Sequence, residues 1–251
     1  MVSGIGVGDH IYVCSSRVNG LPDNGKAFHS ANVVDRQHRS IQIYLPGGQI
    51  SDPISTKYAH KRIGACIVTL GDFQTEQVVL DPLAKSILQY CRLLFGDDSL
   101  VKTYKVRTGV EIRHIWENHF VNDVDHVIFV GHGSEDGEIR VGNSTLSPAA
   151  LAEAMPHDPQ RKWKFTFLCC QLGRAAFSKS FSELAFVEQV IAPFHSVHAA
   201  ISSQFVQTFL VRNLLDGETP AVAFKNAAKT VPGPNSFRRW VNGELKGGRS
   251  T

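Results

Sequence analysis

Two short groups of residues in this chain have the types and spacing for covalent chemistry. The first is His132-Gly133, which ends the apolar run Val127 to Val130 in DHVIFVGHG; the second is Cys169-Cys170 with Gly173, which ends Phe165 to Leu168 in KFTFLCCQLG. Runs of this kind read as buried strands. A neutral imidazole can take the proton of a thiol, and the thiolate so formed is a strong nucleophile near neutral pH. His and Cys on neighbouring strand ends are therefore the minimum set for covalent acyl transfer. Successive side chains on a strand point to opposite faces, so only one cysteine of the pair looks toward His132. The three-residue step to Gly173 favours Cys170.

These residues need a sheet to hold them, and residues 61 to 251 alternate strand and helix in the way that predicts one with helices on both faces. IGACIVTL (63 to 70) is a central strand. Val79, Leu83, Ile87, Cys91 and Leu94 then recur at helical steps up to the stop at Gly96. A strand from Leu100 to Val106 and a helix from Gly109 to Phe120 follow, with His114 and His119 off the buried face of that helix. After the strand Asp125 to Gly131 comes a hairpin, Glu138 to Val141 and Ser144 to Leu146, turned by Asp136-Gly137 and Gly142-Asn143. Ser147-Pro148 starts a helix. Lys164 to Cys170 is the next strand, then a helix from Ala175 to Leu184, an apolar run from Phe186 to Ile191, and helices from Ser203 to Leu215 and Pro220 to Thr230. From Pro232 onward the Gly, Pro, Arg and Ser content reads as a partly ordered end.

Residues 1 to 60 differ. Three short runs, His10 to Ser16, Ala27 to Val34 and Ser40 to Leu45, are separated by turn residues, which predicts a small all-β, barrel-like domain. It shows no catalytic constellation, and its expected role is recruitment or regulation through an activating protein. Tyr12, Phe28 and Tyr44 are either core or a recognition surface. His10, His29, His38 and His60 lack metal spacing and are expected at the surface.

Composition narrows the function. The 251 residues are 43% hydrophobic, enough for a large core, and 26 basic against 23 acidic residues give a net charge of +3. No run of one sign predicts nucleic acid or a membrane surface as partner. Five cysteines without CxxC spacing fit a reducing cytoplasm and no metal. No secretory signal or spanning segment is expected. GxGxxG and GxxxxGK[ST] are both absent, which argues against a nucleotide-binding sheet, and no cofactor is expected.

Three pieces in order, VIFVGHGSEDGEI, FLCCQLG and AAISSQFVQTFLVRNLLDGETPAVAFKNAAKT, resemble the caspase-haemoglobinase superfamily of cysteine peptidases, with the bacterial CHAT branch the most similar. The resemblance spans about three-quarters of the chain. It implies a mostly parallel sheet flanked by helices and a cysteine endopeptidase acting on a specific partner protein, in analogy with relatives that are effectors of bacterial defence systems. It also implies His132 as general base, Cys170 as nucleophile, and backbone N–H groups of Gly133 and Cys170 at the oxyanion. Cys169 and Leu172 depart from the family pattern, which bears on substrate preference. The alternative is a catalytically silent caspase-like interaction module.

Substrate preference turns on charge in two loops. Caspases take pocket arginines from the segments after the first and fifth central strands, and neither GDFQTEQ nor FHSVHAAIS contains Arg or Lys. Cleavage after Asp is therefore not expected, and an uncharged, apolar or small residue before the scissile bond is. Asp72 is the candidate substrate-binding acid for a basic residue, or else a cap for the helix that follows.

Overall fold

The computed structural model describes residues 4–22, 24–72, 74–119, 124–155, 161–233 and 236–248. The N-terminal strands are β1 (His10–Cys14), β2 (Phe28–Gln37), β3 (Ser40–Ile43), β4 (Ile54–Ser55) and β5 (Ala59–His60). They form one antiparallel sheet in the order β4-β3-β2-β1-β5. The three expected strands are present, and two more were hidden by their two-residue length. The end strands β4 and β5 pair with different neighbours, so the ladder is open and the expected barrel is not closed by hydrogen bonds. Ile11, Val13, Val33, Ile41, Ile43 and Ile54 give this sheet its own core. Phe28 instead joins the main core, its ring 6.3 Å from that of Phe95, while Tyr44 lies 56% exposed. His60 is a correction: it is half-buried and its Nε2 lies 2.9 Å from the Leu214 carbonyl.

The rest is the α/β layer arrangement that the alternation predicts. Strands β6 (Gly64–Leu70), β7 (Val101–Val106), β8 (Val124–Val130), β12 (Trp163–Leu168), β13 (Val187–Pro193), β14 (Phe237–Val241) and β15 (Glu244–Gly247) make a seven-stranded sheet in the order β15-β14-β13-β12-β8-β6-β7. A small antiparallel sheet, β9 (His132–Gly133), β10 (Ile139–Val141) and β11 (Ser144–Leu146), interrupts the sequence between β8 and β12. From β7 through β13 all neighbours are parallel. Every residue of β6 and β8 is buried, as parallel strands covered on both faces require.

Alternate residues divide the core in two. On one face Ile67, Ile128, Val130, Leu168 and Ile191 pack under α1 (Asp81–Phe95) and under α5 (Ala199–Leu214) and α6 (Pro220–Lys229). On the other, Val68, Phe129, Phe165, Phe167 and Cys169 pack under α2 (Gly109–Asn118), α3 (Pro148–Glu153) and α4 (Ala175–Ser182). Phe129 and Phe167 stack at 5.1 Å, and Phe177 and Phe181 meet Phe167 edge-on at 4.8 and 5.2 Å. Helix ends follow the expected signals: Gly96 closes α1 in the left-handed region at φ 63°, and Ser147 accepts from the Ala150 N–H ahead of Pro148. Thr108 and Glu111 form a capping box on α2. His114 and His119 are exposed as expected, and Phe120 lies outside the described residues.

Several element boundaries differ from expectation; β12 ends at Leu168, short of Cys170, and three others differ more. Residues 76–80 form a π-turn before α1, so Val79 is 37% exposed instead of lying on the buried face. Helix α5 begins at Ala199, because His198 accepts the Ala200 N–H and caps it earlier than the small-residue stretch suggested. The C-terminal stretch is not a loose end: Phe237–Val241 pairs antiparallel with β13 and turns back into β15. From there Trp240 donates its indole N–H to the Gly173 carbonyl at 2.9 Å.

At the N-terminal ends of β8 and β12 the sheet buries a polar cluster. Lys164 is paired with Asp125, and Arg62 stands 3.7 Å from the same carboxylate. Burial alone would raise the Asp125 carboxyl, but Lys164, His126 and Arg62 hold it down to about 2. His126, 2% exposed, is pushed down to about 3 by burial despite Asp125 beside it. Folded His126 is thus neutral where the unfolded chain, titrating at about 6.5, binds a proton. Stability measured by urea unfolding should therefore fall as pH is lowered from about 6.5 toward 3, and His126→Phe should flatten that slope. Asp125→Ala, which strands the buried Lys164 charge, should cost about 3–5 kcal/mol, with much of it recovered in Asp125→Leu combined with Lys164→Met.

Candidate active site

The site lies at the C-terminal ends of three adjacent strands, where a parallel α/β sheet presents its loops to ligands. Thr69 of β6 and Leu168 of β12 both pair with Val130 of β8, so the three chains leave the sheet side by side. Asp72 follows the first, His132 the second and Cys170 the third. The ladder thus sets His132 between Asp72 and Cys170.

Cys170 is half-buried, while Cys14, Cys66, Cys91 and Cys169 are buried. Burial pushes the Cys66 and Cys91 thiols up to about 12 and the Cys169 thiol higher still. Cys169 packs in the aromatic layer with Phe167 and Leu172, whereas Cys170, two residues beyond the end of β12, is only half-buried. Gln171 then takes a left-handed conformation at φ 67°, in the turn that follows β12 beside the half-buried thiol. The turn is held from three sides: Ser178 donates to the Leu172 carbonyl at 2.6 Å, Gly173 N–H to Pro193 at 2.7 Å, and Trp240 to Gly173. A Cβ at Gly173 would meet the Ala192 carbonyl oxygen at 2.5 Å, which explains the glycine.

Gly133 touches the same turn. A Cβ there would lie 2.5 Å from the Cys170 carbonyl oxygen and 2.7 Å from Leu172 Cγ, so the backbones of the two strand ends are in direct contact. The His132 side chain is 35% exposed, and its Nε2 lies 3.2 Å from Asp72 Oδ2 and 2.5 Å from Thr75 Oγ1. Asp72 is 2% exposed and accepts from the Gln74 N–H (2.8 Å), the Thr75 N–H (2.6 Å) and the Thr75 hydroxyl (2.8 Å). Burial raises the Asp72 carboxyl, but those hydrogen bonds and the nearby imidazole outweigh it and hold the group below its ordinary value. Its oxygens are engaged with the loop and with His132. Behind the loop, Glu76 binds Lys105 at 2.8 Å and Arg107 at 2.9 Å.

Sequence reasoning missed Thr75, which carries no signal beyond lying three residues after an Asp. It also missed two cations beside the segment after β13. Arg238, 4% exposed, places its guanidinium carbon 4.2 Å from the Phe194 ring centre, and Arg174 stands 5.4 Å from the same ring. Both come from other parts of the chain, so the lack of Arg and Lys within FHSVHAAIS does not leave that segment without positive charge. Arg174 also pairs with Glu135, from the loop after His132, at 3.3 Å. Among the described residues no cluster of His, Cys, Asp or Glu has the makings of a metal site, and no helix is long and apolar enough to cross a membrane.

No protein-family model matches the chain, and no curated protein matches it. Among solved structures, the chain is similar to a secreted C11 cysteine protease from Bacteroides thetaiotaomicron, whose X-ray structure is a complex with an irreversible peptide inhibitor. The identity is 11% and the TM-score 0.50, and the match covers 72% of this chain and 66% of that one. The chain thus spans just under two-thirds of that protein's length. What the two share is the fold: a central, mostly parallel sheet flanked by helices, of the caspase-like kind.

Proposed function

We propose that the chain is a cysteine endopeptidase in which His132 takes the proton of Cys170 and the thiolate attacks a peptide carbonyl. The observation that carries this is the contact of the two strand ends, with Gly133 against the Cys170 carbonyl and Cys170 alone of the five thiols partly open to solvent. The likeness of fold to a cysteine protease supports it. The N–H groups of Gly133 and Cys170 are the proposed donors to the tetrahedral oxyanion, a stabilisation of roughly 3 kcal/mol per donor. Collapse of that intermediate expels the amine, which takes the proton from His132, and water releases the acyl group from sulfur.

The substrate on this reading is a specific partner protein, and an effector role in bacterial defence fits the resemblance. Residues 1–60 are proposed to recruit or regulate. Their sheet shares packing with the catalytic layer through Phe28 against Phe95, so an activating protein bound there has a mechanical path to α1.

An electrophilic thiol probe applied to the whole chain should label Cys170, and labelling should persist in Cys169→Ala and vanish in Cys170→Ala. Turnover of a short-peptide library should be lost with Cys170→Ala and with His132→Ala. A folded protein that labels on Cys169 instead would reverse the assignment, and one that labels nowhere and cuts nothing would leave the silent interaction module. Gly133→Ala should force the strand ends apart at a cost of roughly 1–3 kcal/mol. Turnover should then fall about 100-fold, as expected for a misplaced catalytic pair, readable as kcat/KM on whichever library peptide is cut fastest.

A further inference from the structure

We infer that Asp72 and Thr75 are positioning residues that fix the His132 proton on Nε2 and so make Nδ1 the base for Cys170. This rests on the peptidase reading of His132 and Cys170. The Thr75 hydroxyl lies between the carboxylate and the imidazole. Its hydrogen goes to Asp72 Oδ2 at 2.8 Å, so toward His132 Nε2, 2.5 Å away, the oxygen can only accept. The second neighbour of Nε2 is a carboxylate oxygen at 3.2 Å, which also only accepts. Two acceptors on one ring nitrogen require that nitrogen to carry the proton.

The sheet order completes the assignment. His132 leaves β8 between the loop after β6 and the turn after β12, and Nε2 is taken on the β6 side. Nδ1 is the remaining nitrogen. The Cys170 S–H bond breaks, its proton joins Nδ1, and the electron pair stays on sulfur. The imidazolium keeps its Nε2–H against the Asp72 carboxylate, whose charge stabilises it. The carboxylate cannot turn away, since the N–H groups of Gln74 and Thr75 grip its other oxygen at 2.8 and 2.6 Å. The other charges nearby are Glu76, met by Lys105 and Arg107 behind the same loop, Glu135 with Arg174 beside the Cys170 turn, and Arg238 over the Phe194 ring.

The test is the rate of Cys170 alkylation by iodoacetamide against pH, with the adduct mapped by mass spectrometry on the full chain. Asp72→Asn keeps an acceptor for the two loop N–H groups but offers its amide hydrogens toward Nε2, which favours the opposite tautomer. The midpoint of the profile should rise by about one unit or more, with the rate at pH 7 falling about tenfold. Thr75→Val should shift it the same way by less, and Thr75→Ser, which keeps the hydroxyl, should restore it. A purely structural role would lower the unfolding midpoint in urea and leave the alkylation midpoint in place. An unmoved profile in Asp72→Asn, while His132→Ala does move it, overturns this inference and spares the dyad. A profile unmoved even by His132→Ala sinks the dyad reading, and this one with it. If Asp72→Asn does not fold, Thr75→Val against Thr75→Ser decides on the same measurement.

Discussion

The constraint on which everything else depends is the parallel ladder of β6, β8 and β12. Three strands in fixed register deliver three loops to one end of the sheet, so Asp72, His132 and Cys170 follow neighbouring strands without any search by the loops themselves. Parallel pairing needs long crossovers, so α1, β7 and α2 lie between β6 and β8 along the chain, and the small sheet and α3 between β8 and β12. Each crossover covers a face of the sheet. The same connections that bring the three residues together therefore exclude water from the strands that carry them.

Rigidity at the strand ends comes from different sources on the two faces. Under Cys169 lies a close-packed aromatic layer, and α4 begins directly after the Cys170 turn, so the turn sits on side chains with no room to shift. On the other side of His132, polar groups do the work. Glu76 is almost buried and its charge is met by Lys105 and Arg107, which ties the loop after β6 to the strand next to it. The π-turn that follows is a local irregularity of the kind that tolerates such a loop.

Much of this was readable in the sequence because it rests on local patterns. Continuous apolar runs gave the buried strands, and Gly96 and Ser147-Pro148 marked helix ends. What stayed hidden depends on contacts between distant segments. The C-terminal hairpin reads as polar because Arg238 and Arg239 sit in the middle of β14. One is covered by Phe194 and the other is anchored by Gln189 at 2.7 Å, and neither partner is visible in the local pattern. His60 looked like a surface residue for the same reason: its partner, the Leu214 carbonyl, lies 154 positions away. Asp72 carried two readings in sequence, cap and substrate acid, and its distance from His132 could not be known until the sheet order was.

Strand β8 carries polar chemistry at both of its ends, and the two are linked through register. Lys164 of β12 stands opposite His126, with its ammonium on Asp125. A one-residue slip between these strands would turn Phe165 and Phe167 onto the wrong face. A two-residue slip keeps the faces correct, so the inside–outside pattern does not oppose it and only the fit of the packed side chains does. That slip, however, would carry Lys164 to Val124 or Ile128 and leave a buried ammonium and a buried carboxylate apart, an arrangement far costlier than the paired one. The ion pair at the N-terminal ends of these strands thus adds to side-chain fit in opposing the misregistration that the inside–outside pattern allows. It is also the misregistration that would move the Cys170 turn by two residues relative to Gly133, about 6.6 Å along the strand, and break the contact between them.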